Sequence, residues 1–164
     1  MTLKNNTSLI IDFLNEIGIH VIPQKLSGEC FLPGLKVFKS NILVDYEQLK
    51  YPGDLLHEAG HIAVTEVSLR PLTGTARLSE WPDQGGEIAA MLWSYAALCY
   101  LKLPLELVFH NNGYKGESQW LINEYENKRY HGLPLLEWMG LCLSEEKAAL
   151  EKKPAFPVML RWLR

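Results

Sequence analysis

The first apolar positions recur at helical spacing. Ile10, Ile11, Phe13, Leu14 and Ile17 fall on one side of a helix that Thr7 or Ser8 can cap and Gly18 can end. The period then shortens. Residues 20–22, 30–32 and 35–38 are short β-like runs punctuated by Pro and Gly, and in residues 41–46 Ile42, Val44 and Tyr46 share one face. The turn residues Ser40 and Asn41 make a hairpin of the last two runs. After Pro52 and Gly53 the helical period returns, with Asp54 as its expected N-cap, and continues to about residue 67. Pro71 and Gly74 mark a loop. A second helix is expected from Asp83 or Gln84 to about Leu101, ended by Pro104. A short segment (105–109), a polar loop (110–116) and helices over about 117–129 and 134–143 follow. Ser144 caps a last helix, with Glu145 and Glu146 in the first turn, where the helix dipole favours anions. The expected class is α+β, with a small antiparallel sheet packed on two core helices and further C-terminal helices.

With 164 residues, no repeat and no linker-like stretch, the chain reads as one domain over 1–164. A domain of that size buries about 70% of its unfolded surface and needs no metal or disulfide to close its core. The chain is 48% hydrophobic and 21% charged, which excludes a disordered or fibrous protein. Its net charge of −3 argues against a nucleic-acid partner. Cys30, Cys99 and Cys142 are odd in number and far apart, unlike a secreted disulfide framework. The opening residues lack the long apolar core of a signal peptide, and no run approaches the roughly 20 apolar residues of a membrane span. A cytoplasmic protein without a membrane partner is expected.

Bulk properties supply no activity, but one constellation does. His57-Glu58-Ala59-Gly60-His61 lies inside the helix that begins at Asp54. Histidines at i and i+4 project from one helical face, so their rings can converge on a single ion. Imidazole suits zinc at about 2.0–2.1 Å. Glu58 points about 100° round the helix, where it can reach an activated water without ligating the metal. Ala59 and Gly60 add no bulk, so another element can pack close to the ligands.

A catalytic zinc usually takes three protein ligands. Glu87 is the strongest third candidate, because it opens a helix that is apolar nearly all round, where an unpartnered carboxylate is costly. Ala90 and Ser94 share its face and are small enough for close helix packing. Glu66, Glu80, His110 and His131 are weaker alternatives. His110, His131 and Tyr114, if turned towards the cleft, are candidate donors to a developing oxyanion or contacts to substrate, and Tyr130 is a further one.

The His57-Glu58-Ala59-Gly60-His61 pattern resembles the H-E-x-x-H motif of the zincin metallopeptidases, and the surrounding layout is most similar to the small gluzincins. In those a hairpin strand precedes the motif helix and a second helix opens with a ligand glutamate. The resemblance covers about residues 35–100 and leaves the helical extension 103–164 unmatched. It implies that His57, His61 and Glu87 hold one Zn2+ ion and that Glu58 is the general base. It further implies that the strand over residues 42–46 is an edge pairing with an extended peptide or protein substrate. The resulting expectation is a zinc-dependent hydrolase, a metallopeptidase. The alternative is a non-catalytic module that holds metal on the same scaffold.

Overall fold

The computed structural model describes residues 3–28 and 30–164. Helix α1 (Leu3–Glu16) starts ahead of the expected cap and buries Ile10, Phe13 and Leu14 as its apolar stripe. It ends at Gly18, after which Ile19 N–H donates to the Leu14 carbonyl (2.9 Å). Asn15 Oδ1 then accepts from Val21 N–H (3.0 Å) and turns the chain into β1 (Val21–Pro23).

The hairpin is present as β2 (Leu35–Phe38) and β3 (Asn41–Val44). Its turn is Lys39-Ser40, both with positive φ (48° and 66°), the backbone of the tight hairpin turns that match strand twist. Two expectations need correcting. The sheet is mixed, because β1 pairs parallel with β3 while β2 pairs antiparallel with it. The order β1-β3-β2 makes β3 the middle strand. Its backbone is hydrogen-bonded on both sides, so it is not an edge and cannot add a substrate strand. Tyr46 falls outside the strand and is half exposed, while Ile42 and Val44 are fully buried.

Two helices form the centre. α2 (Asp54–Val64) and α3 (Gln84–Leu101) each bury one long apolar face, α2 through Leu55, Leu56, Ala59 and Ile62 and α3 through Ala89, Leu92, Trp93 and Ala96. They touch where their residues are smallest. A Cβ on Gly60 would stand 2.7 Å from the Ala90 carbonyl oxygen. Ser94 Oγ donates across the same seam to the Leu56 carbonyl (3.2 Å). Asp83 caps α3, accepting from Gly86 N–H (2.5 Å). Asp54 is not a cap: it lies inside the first turn of α2, and the N-cap is Gly53. α2 also stops earlier than expected, since Thr65 turns extended.

The C-terminal half contributes α4 (Ser118–Glu126) and α5 (Leu133–Trp138), both shorter than the periodicity predicts, and α6 (Glu145–Glu151). Ser144 caps α6 as expected, accepting from Lys147 N–H (3.4 Å). α5 packs on α3, and the last residues return to the centre. The Trp162 carbonyl accepts from Trp93 Nε1 (2.9 Å), and Arg164 N–H donates to the Ala63 carbonyl (2.9 Å). One apolar cluster runs from Ile10 to Phe156 through both halves. Among the described residues, no helix is long and apolar enough to cross a membrane.

Candidate metal centre

The geometry of α2 brings His57 and His61 to one face, and the close seam at Gly60 brings the first turn of α3 up to them. His57 Nε2 and His61 Nε2 stand 3.1 Å apart. Glu87 Oε1 lies 3.5 Å from the first and Oε2 lies 3.1 Å from the second. Among the described residues these three offer ligand atoms that all lie within 4.8 Å of one another. Two imidazole nitrogens facing at that distance cannot both carry a proton, so at least one lone pair points into the shared space. Burial and the neighbouring His61 push His57 down to about 4, so its ring is neutral near pH 7. Glu87 is held below the usual carboxylate range, first by its hydrogen bond with His61. Two imidazole nitrogens and a carboxylate form a donor set suited to zinc, and the residues present fit such an ion.

Glu58 is partly buried beside the cluster. Desolvation pushes its carboxyl up to about 7; His61 opposes the shift, and Asp54 and Glu87 add to it. A carboxylate in this range can take and return a proton near neutrality.

Three surrounding contacts orient the rings. Tyr114 Oη lies 3.3 Å from His57 Nδ1, the nitrogen facing away from the cluster. Thr65 Oγ1 donates to the His61 carbonyl (2.7 Å) and accepts from Trp81 Nε1 (2.9 Å), whose ring meets the His61 ring nearly at right angles. The Thr65 contact is one that the sequence announces, since a threonine four residues after a helical position commonly bonds back to that carbonyl. Nothing in the local pattern announces Trp81. His61 Nδ1 is buried without a protein partner.

The remaining candidates fall at different places. Tyr114 is drawn onto His57, and burial raises its hydroxyl well above its ordinary range, so it stays neutral. His110 Nε2 is paired with Asp54 Oδ1 (3.0 Å), and its ring stacks on Tyr51 at 4.0 Å. Asp54 thus has a side-chain partner in place of a capping role, although burial still raises its carboxyl. His131 pairs with Glu124 (2.9 Å) and stacks on Trp120, in a half-exposed cluster that includes Arg129. Tyr130 packs on Tyr95 and Phe156. Glu66 and Glu80 lie apart from the three-residue cluster, along a cleft of about 510 Å³ that opens beside His61.

No protein-family model, no curated protein and no solved structure matches this chain.

Proposed function

We propose that this protein is a zinc-dependent hydrolase of the zincin type, a metallopeptidase in which Glu58 is the general base. The observation that carries the reading is the convergence of His57 Nε2, His61 Nε2 and a Glu87 carboxylate oxygen within 4.8 Å, with Glu58 next to the first of them. His57, His61 and Glu87 would hold the ion, leaving a position for water. A zinc ion there supplies Lewis acidity, polarising a peptide carbonyl and bringing the pKa of a water to about 7.

The chain's own residues do the rest. Glu58 accepts a proton from the attacking water and returns it to the leaving amine, a task suited to a carboxyl poised near 7. Tyr114 fixes the His57 ring from behind, and Thr65 with Trp81 fixes the end of α2 that carries His61. The tight α2–α3 seam at Gly60 and Ala90 sets the distance from Glu87 to the histidines, and we read that helix pair as zincin-like. The three cysteines are free, which accords with a reducing compartment such as the cytoplasm.

The test is cleavage of a mixed peptide library by purified protein loaded with zinc. Glu58→Gln should abolish cleavage while retaining the metal. A wild-type protein that holds zinc and cuts nothing would overturn the hydrolase reading in favour of a metal-holding module.

A further inference from the structure

The cleft beside His61 is lined on one side by the segment that links α2 to α3 and on the other by α5. Its walls are apolar, with Leu69, Leu78, Trp81, Trp138 and Met139 among them. Trp81 is held in place through Thr65 to the His61 carbonyl, so this wall is part of the same rigid unit as the histidine. Trp138, 72% exposed, offers its ring at the surface of the cleft.

The charges around these walls are mostly of one sign. Glu66, Glu80 and Asp83 line the cleft, and among the described residues none of them is ion-paired with a lysine, arginine or histidine. Among the described residues Arg164 is the one lysine or arginine in the lining, and its guanidinium is committed: it lies 4.7 Å over the Trp138 ring and donates to the Val64 carbonyl. An occupant therefore meets a large apolar trough with carboxylates that lack a counter-charge.

The geometry points to a peptide subsite that takes a bulky apolar side chain flanked by lysine or arginine. This rests on the peptidase reading above for its meaning, since His61 lines the cleft, as do Gly85 and Gly86, the residues just before Glu87. It names the class of substrate: cationic, amphipathic segments rather than acidic ones. The middle position of β3 removes that strand as a docking edge, and the cleft offers side-chain recognition in its place.

The experiment measures binding and cleavage separately. The probes are three fluorescein-labelled peptides with amidated C-termini: Gly-Lys-Leu-Phe-Lys-Gly, the same peptide with both lysines replaced by glutamate, and the same peptide with Leu-Phe replaced by Gly-Gly. Anisotropy is read on Glu58→Gln protein, with zinc and after chelation, at low and high salt. The lysine peptide should bind at least about tenfold tighter than the other two, and the advantage over the glutamate peptide should shrink at high salt. The double variant Glu66→Gln/Glu80→Gln should lose about fivefold or more for the lysine peptide alone, as expected for two partly solvated ion pairs. Trp138→Ala, which removes an exposed ring and leaves the core intact, should weaken the Leu-Phe peptides and leave the Gly-Gly peptide unchanged. Equal affinity for the lysine and glutamate peptides, or a double variant with wild-type binding, overturns the subsite. Binding that follows the predicted order without any cleavage by wild-type protein upholds the subsite and defeats the peptidase reading instead.

Discussion

The Tyr114 hydroxyl oxygen stands 3.3 Å from Nδ1 of His57, with the two rings at 89°, and ties the helical extension to α2. A ring nitrogen held from behind fixes which nitrogen is free in front. In the tautomer whose Nδ1–H donates to the tyrosine oxygen, Nε2 presents its lone pair towards His61 and Glu87. Tyr114→Phe keeps the ring and its packing on Phe109 and removes only the oxygen. We expect zinc affinity to fall about 10-fold or more by chelator competition, with thermal stability little changed. Long-range proton–nitrogen NMR on metal-free protein should show His57 losing its preference for the Nδ1–H tautomer. An unchanged tautomer and unchanged affinity would remove Tyr114 from the site.

The seam between α2 and α3 makes a second prediction. Gly60→Ala gains up to about 1 kcal/mol of helix propensity. Its methyl, however, would meet the Ala90 carbonyl oxygen at 2.7 Å, a backbone atom that cannot move without the helix, and overpacking costs about 1–3 kcal/mol. The net effect should be a lower melting temperature and weaker zinc binding together, because the same shift carries Glu87 away from the histidines. A variant more stable than wild type would show that the seam is soft.

His131 provides a control. It lies in the Glu124–Arg129 cluster, where the hydrogen bonds from Arg129 and then His131 hold Glu124 down to about 2. His131→Gln should lower stability slightly above pH 4.5, with the difference closing as pH falls towards about 2, and leave zinc affinity at the wild-type value. A loss of zinc binding in this variant, measured by the same chelator competition, would contradict the placement.

Acid unfolding should report on Glu137. The Lys147 ammonium, together with the Ser144 N–H, holds its carboxyl down to about 2 from an ordinary 4.5. The folded value is the depressed one, so the stabilisation is complete above 4.5 and is lost as pH falls through about 2. Glu137→Gln should therefore be less stable than wild type at neutral pH, and the gap between their denaturation midpoints should close between these two values. A gap that persists unchanged at pH 2 would show that packing, and not charge, makes the difference.

The parts that were legible in the sequence are those whose cause is local. The i, i+4 histidines and the apolar run after Asp83 fall on α2 and α3, and the small face of Ala90 and Ser94 is the one Gly60 meets. The hairpin was legible because its turn sits between two short alternating runs. What was not legible depends on distant contacts. β1 is three residues long and carries no alternation, so its insertion beside β3 rests on Asn15 turning the chain and on pairing with residues 21 positions on. Asp54 had the appearance of a cap, and only the fold brings His110 to it. Trp81 and Arg164 reach the neighbourhood of His61 through loop and tail paths that no period encodes.

The central claim is that His57, His61 and Glu87 hold one metal ion, and metal stoichiometry tests it most directly. Zinc in protein purified without added metal should be close to one ion per chain by elemental analysis. It should be lost in His57→Ala, His61→Ala and Glu87→Ala, each checked for folding by circular dichroism, and retained in Glu58→Gln. A wild-type protein that takes up no divalent metal even when one is supplied, or a folded Glu87→Ala protein that keeps its zinc with wild-type affinity, would contradict the account.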